Sequence, residues 1–252
     1  MGKSDVLSGR RLIVTGGSAG IGRETVRLCA ANGASVVAVS RRPDYSLTSL
    51  APNVDVLSAD LRDGTEVHRV VDSAIELLGG VDALINSAGV YRVGSIAKFR
   101  PPDWQDMFET NVLGLLNITQ ACLPHLKNVA YADIVNVGSM GGHVVARTET
   151  SVYSGTKFAV TALSEGLRRE LVDDRIRVSL VSPGAVATQL GFDAMTEEQT
   201  HSLARRRDAI ALTPTDVAHQ IMHILSLPPD VVIHEIRMSS MQQLQEQYGE
   251  PN

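Results

Sequence analysis

The sequence predicts a doubly wound α/β fold built on one parallel sheet of seven strands, on three observations. Short, β-branched-rich apolar runs recur seven times along the 252 residues, and helical stretches separate them. The runs scarcely alternate between apolar and polar, as strands covered on both faces should. Regular alternation of strand and helix is the pattern of a parallel sheet with helices on either side. No repeat, low-complexity tract or linker interrupts it, so residues 1–252 read as a single domain.

Composition narrows the setting. A hydrophobic content of 44% sustains a large core, and a net charge of −5 argues against nucleic acid or an anionic membrane as partner. No apolar run approaches the ~18 residues of a membrane-spanning helix, and the start MGKSDVLSGR has no signal-peptide core. Cys29 and Cys122 lie far apart in apolar helical segments, which suits two buried thiols better than a bridge. A soluble cytoplasmic protein is expected.

In such a sheet, ligands bind beyond the carboxyl ends of the strands, so the residues that follow each strand are the candidate site. The first run, RLIVTG near residue 11, passes through TGGSAGIG (15–22) into a helix expected over 20–31. Gly16, Gly20 and Gly22 leave room for a phosphate to reach backbone N–H groups, and the positive end of the helix dipole favours the anion. The spacing is not the common G-x-G-x-x-G, and a tight connection is the plainer alternative.

The second run, SVVAVS near 35, ends in SRRPD. An acid here would bond a ribose 2′-hydroxyl, but the chain offers Ser40, Arg41 and Arg42. A guanidinium holds a 2′-phosphate through charge-assisted bonds. NADP(H) is therefore favoured over NAD(H), with Arg41 the better placed of the pair, against the alternative of two solvated arginines.

The third run, VDVLSA near 54, leads through Asp60 and Leu61 into a helix over 63–78. Asp60 could accept from an adenine amino group while Leu61 packs on the ring. The fourth, VDALIN near 81, ends in Asn86, Ala88 and Gly89, small residues that let backbone pass close to a ligand. Both stretches are also ordinary turn chemistry. A helix over 103–127 carries Asn111 among Met107, Phe108, Val112 and Leu115, where an amide needs a partner unless it faces solvent.

The fifth run, DIVNVG near 133, places Ser139 at the same sheet edge. A helix over 151–172 follows, opening SVYSGTKFAV. Tyr153 and Lys157 share its apolar face with Val160, Leu163, Leu167 and Leu171. Read alone, the pair is a core-edge tyrosine and a lysine snorkelling outward. In the loop between, His143 and Arg147 read as surface residues, with substrate contact the alternative.

The sixth run, RVSLVS near 177, ends in Pro183, Gly184 and Thr188, a rigid turn and a hydroxyl. The stretch from Gly191 to Leu212 then reads as a helical lid whose Arg205, Arg206 and Arg207 form a solvated face. TPTD starts a helix over 214–226, with Thr213 as cap, Pro214 in the first turn and Asp216 against the dipole. His219 and His223 stand four apart on it without the Glu of H-E-x-x-H, so no metal site is expected. The seventh run is VVIHEI near 231.

Taken together, T-G-x-x-x-G-x-G, N-x-A-G, an Asn in the middle helix, Ser, Y-x-x-x-K and P-G in this order resemble a short-chain dehydrogenase/reductase, from Thr15 to about Ile236. The resemblance implies a Rossmann-like NAD(P)-binding catalytic domain. It implies that Ser139, Tyr153 and Lys157 are catalytic, with Asn111 completing a proton relay. Cofactor contacts are implied at Gly16, Ser18, Gly20, Ile21, Gly22, Ser40, Arg41, Asp60, Leu61, Asn86, Ala88 and Gly89. Tyr153, Lys157, Pro183 and Gly184 join them, with Thr188 at the nicotinamide amide. Homodimers or homotetramers built on helices 103–127 and 151–172 are implied as well.

The chain departs from the family pattern in three places. Ser87 replaces the second Asn of N-N-A-G. The spacing from Ser139 to Tyr153 is one residue longer than usual, so the loop 141–150 is expected to bulge. The ending VVIHEIRMSSMQQ lacks D-G-G and resembles a subgroup that includes serine and 3-hydroxy-acid dehydrogenases and clavulanic acid dehydrogenase.

The chemistry implied is reduction of a carbonyl, or oxidation of the matching secondary alcohol, with Tyr153 as general acid/base. A free phenol has a pKa of about 10, and an ammonium one turn along the helix would favour the phenolate. Ser139 would orient the carbonyl, and Asn111 would position a water linking Lys157 to solvent. A non-catalytic NADPH-binding sensor or scaffold is the alternative of another class, and an isomerase or dehydratase a third.

Overall fold

The computed structural model describes residues 5–191 and 209–248. Seven parallel strands form one sheet: β1 (Arg11–Thr15), β2 (Ser35–Ser40), β3 (Val54–Ser58), β4 (Ala83–Asn86), β5 (Ala132–Val137), β6 (Ile176–Pro183) and β7 (Glu235–Met238). Their spatial order is β3-β2-β1-β4-β5-β6-β7, so the chain reverses its winding between β1 and β4. Helices α1 (Gly20–Ala31), α2 (Ser46–Leu50), α3 (Gly64–Leu78), α4 (Pro101–Phe108), α5 (Gly114–Leu126), α6 (Ser151–Glu170), α7 (Pro214–Leu225) and α8 (Met241–Tyr248) surround it.

Because successive strand residues face opposite sides, each strand feeds two cores. Leu12, Val14, Val36, Ala38 and Ile85 join Val26, Cys29, Val217 and Ile221 under α1 and α7. Ile13, Val37, Val39, Leu84 and Ile134 join Val67, Val70, Ile118, Leu126 and Leu167 under α3, α5 and α6. That double coverage explains the unalternating runs. Both thiols are free and buried, which pushes each up to about 12. No helix among the described residues is long and apolar enough to cross a membrane.

The helix starts follow local chemistry. Asp63 accepts from the N–H groups of Thr65 and Glu66 ahead of α3. Thr213 and Asp216 form a reciprocal capping box ahead of α7, with Pro214 in its first turn. The expected middle helix is instead α4 and α5 joined by a π-helical stretch, Glu109–Leu113. The loop 141–150 holds two 3₁₀ turns, Met140–Gly142 and Thr148–Thr150.

The last strand lies later than its apolar run. Over 231–234 the carbonyls are taken by side chains rather than by a full ladder: Arg177 Nη1 reaches Val231 O, and Ser179 Oγ reaches Ile233 O. Regular pairing begins only at Glu235. Two short helices, α2 and α8, add to those the sequence predicts.

Opposite the strand ends that matter for function, the sheet is stapled by a buried carboxylate. Asp133, 1% exposed, receives Arg177 Nε at 2.8 Å and Nη2 at 2.9 Å, and Arg10 Nη2 at 2.6 Å. Both guanidinium groups lie over the ring of Tyr131. Removing the acid leaves two buried cations without a counter-charge. Asp133→Ala is expected to lower stability by about 3–5 kcal/mol in urea unfolding; a loss under about 1 kcal/mol would show that the staple carries little.

Candidate active site

The carboxyl ends of β1, β2, β4, β5 and β6 open on one cavity of about 850 Å³. At the end of β1 the chain turns at Gly16 with φ +68°, where a Cβ would stand 2.8 Å from the backbone of Ala88. Gly22, in the first turn of α1, presses on Gly16 O; a Cβ there would come within 2.3 Å of it. The helix thus packs directly on the turn. Thr15 Oγ1 accepts from the N–H groups of Ser87 and Ala88 and so locks the ends of β1 and β4 together.

Of the expected cofactor residues, Gly16, Ser18, Gly20, Ile21, Ser40, Arg41, Asp60, Leu61, Ala88, Gly89, Pro183, Gly184 and Thr188 line the cavity. The N-terminus of α1 has no side-chain cap and no acid in its first turn, so its N–H groups remain suited to an anion. Gly20 faces Thr188 across the opening, with room for a Cβ only 3.0 Å from its methyl. This cradle fits a dinucleotide.

Two of the expected residues stand elsewhere. Gly22 is buried behind the turn and serves packing. The Asn86 side chain, on the last residue of β4, points into the sheet and away from the cavity. It donates to Thr119 Oγ1 at 3.1 Å and Asn136 Oδ1 at 2.9 Å, tying β4 to β5 and α5. Asp60 lies in the wall, but Arg62 grips its carboxylate at 2.6–3.0 Å and holds it below the usual carboxylate range.

At the other end of the cavity, Ser139 leaves β5 in extended backbone and caps the first 3₁₀ turn. Its Oγ accepts from Gly141 N–H at 3.0 Å, which leaves the hydroxyl proton to donate outward. Gly142 lies against α6, where a Cβ would sit 2.7 Å from Lys157 O. Tyr153 and Lys157 rise from α6 into the same wall. The Tyr153 ring meets the Tyr91 ring edge to face at 4.7 Å, and Lys157 Nζ lies 5.9 Å from the Tyr153 ring centre.

Lys157 does not snorkel. It is 6% exposed, donates to Val137 O at 2.9 Å, and is lowered to about 8 by desolvation. Asn111 sits behind the wall in the π-helical stretch, a distortion often found at functional sites. Its Oδ1 accepts from Val90 N–H at 2.7 Å, while Nδ2 donates to Val90 O and Thr156 Oγ1. The amide therefore clamps the Gly89–Val90 strand end to α6.

Further residues complete the cavity beyond the strand ends. Tyr91 and Arg92 extend the wall just beyond Gly89, and Gln243, Gln247 and Tyr248 reach it from α8. Gln243 Oε1 accepts from Ala185 N–H at 2.9 Å and closes over Gly184. Arg147 lines the cavity, whereas His143 turns inward to Glu235. The arginines expected on a lid, Arg205 to Arg207, lie outside the described residues.

The chain is similar to known proteins over most of its length. The sequence profile of the family described as short chain dehydrogenase matches residues 10–199. The chain is 34% identical to an uncharacterized oxidoreductase of Staphylococcus saprophyticus, covering 91% of this chain and 96% of the relative. It is 32% identical to dehydrogenase/reductase SDR family member 11 of Homo sapiens, covering 93% and 95%. Among solved structures it resembles the closed form of serine dehydrogenase complexed with NADP⁺, at 27% identity and a TM-score of 0.85 over 96% and 98% of the two chains. A short chain dehydrogenase of Burkholderia cenocepacia in complex with NADP gives 27% identity and a TM-score of 0.79 over 92% and 97%.

Burial of Lys157 gives the site a pH signature. The folded chain releases this proton at about 8, well below an ordinary lysine at 10.5. Between those values the unfolded chain binds more protons, so stability rises with pH across that window. The stability of the wild type relative to Lys157→Met is expected to climb from pH 8 to pH 10 in denaturant unfolding. A flat difference would mean that the amine is not desolvated.

Proposed function

The chain belongs to the short-chain dehydrogenase family, and on that premise we propose that it is an NADP(H)-dependent oxidoreductase. It would reduce a ketone or aldehyde, or oxidise the matching secondary alcohol, with Tyr153 as general acid/base. The observation that carries this reading is the convergence of Ser139, Tyr153 and a buried Lys157 on one cavity with the glycine cradle of α1.

When bound, the nicotinamide ring supplies the hydride for the carbonyl carbon. As that carbon is reduced, its oxygen gains charge, and Tyr153 gives it the phenolic proton. Ser139 donates its hydroxyl proton to the same oxygen, steadying the charge as it develops. Lys157, held one helical turn away, favours the phenolate that remains. Asn111 acts one layer back, keeping the Gly89–Val90 wall against α6.

The preference for NADP(H) rests on Ser40, Arg41 and Arg42, which end β2 on the cavity wall without a carboxylate among them. The acid in the cavity wall, Asp60, is already paired with Arg62. Two of the similar structures hold NADP⁺ or NADP, which supports the same preference. The exposed apolar side chains Phe108, Leu113 and Phe158 support assembly into a dimer or tetramer.

The test is NADPH absorbance decay against ketones, aldehydes and keto acids. Tyr153→Phe is expected to lower kcat by at least ~10²-fold while NADPH still binds. Binding without turnover across the panel and in the reverse assay with alcohols would favour a sensor. Arg41→Ala is expected to raise the KM for NADPH by roughly 10-fold or more and leave that for NADH unchanged. Equal effects on both cofactors would sink the 2′-phosphate assignment.

A further inference from the structure

Four residues beyond Ser139, His143 closes the 3₁₀ turn that Ser139 begins, its N–H bonded to Met140 O. Its side chain is only 12% exposed and points away from the cavity, into the sheet. Nε2 lies 2.6 Å from Glu235 Oε1 and 3.2 Å from Ser182 Oγ. Glu235 opens β7, and the fully buried Ser182 stands in β6 next to the Pro183–Gly184 wall.

Glu235 Oε1 is buried and has no well-directed hydrogen bond, and the imidazole lies 2.6 Å from it. Ser182 Oγ, a hydroxyl that can donate or accept, faces the same nitrogen. Arg237 Nη2 holds the other oxygen at 3.0 Å. Burial works to raise this acid, but Arg237, Ser182 and His143 together hold it below its ordinary range, so it stays ionised.

The next residues along the loop, 144–149, are all exposed. His143 is therefore the last side chain between Ser139 and a solvent-facing loop that is fixed to the sheet. Within the turn, the Thr161 Oγ1 contact to Gly142 O is long, at 3.4 Å. We propose that His143 and Glu235 are positioning residues for Ser139: by pinning the far end of its turn to β6 and β7, they fix the direction in which its hydroxyl points. The inference rests on the reductase reading of the site.

Two variants test it, His143→Ala and Glu235→Gln, the second removing only the charge. Amide hydrogen exchange over 138–147 should accelerate by roughly 10-fold or more in both, with α6 unchanged. The kcat should fall about 10- to 100-fold while NADPH affinity holds. A displaced hydroxyl costs nothing once it is absent, so His143→Ala added to Ser139→Ala should slow the enzyme less than about twofold further. Unchanged exchange, an unchanged kcat, or losses that multiply in the double variant would each overturn the assignment. Faster local exchange in a protein whose wild type shows no NADPH turnover would overturn the reductase reading while upholding the anchor.

Discussion

The site depends on one buried contact, the amine of Lys157 on the carbonyl of Val137. A lysine sealed from water at this depth is unfavourable unless something accepts its protons. Val137 is the last residue of β5, and the bond draws α6 against the strand end that carries Ser139. Tyr153, one turn earlier on the same helix, is thereby set beside the serine. Gly142 completes the fit, because only a glycine allows the turn to lie flat on the backbone of α6.

Parallel strands make such a site possible. Each strand must be followed by a crossover, so every carboxyl end is a turn, and all of them open on the same side of the sheet. Reversal of the winding between β1 and β4 separates the turns that follow them and leaves a crevice. The cradle at Gly16 and Gly20 sits on one side, and the Ser139 turn on the other. Opposite, at the amino ends, Asp133 with Arg10 and Arg177 holds the same strands by charge. Charge thus fastens the edge opposite the cavity.

Most of this arrangement was legible in the sequence because its signals are local. A glycine turn between strand and helix, a Y-x-x-x-K on one helical face and a T-P-T-D start each state their geometry within a few residues. What escaped depends on contacts distant in the chain. The facing of Asn86 follows from strand alternation, and its partners Thr119 and Asn136 come 33 and 50 positions later. His143 reads as loop because its counterpart, Glu235, stands in the last strand. The helix α8 is mostly polar, and its relevance appears only where Gln243 meets Ala185, 58 residues away.

That last contact bears on how the protein is made. Gln243 follows all seven strands in chain order, yet it closes over Gly184 at the cavity wall. Synthesis adds residues one after another, and earlier segments can fold while later ones are still being joined. A nascent chain can therefore pair its sheet and bring Ser139, Tyr153 and Lys157 together while the cavity still lacks one wall. The pocket becomes whole only once the segment holding Gln243 has been joined and has docked on Ala185.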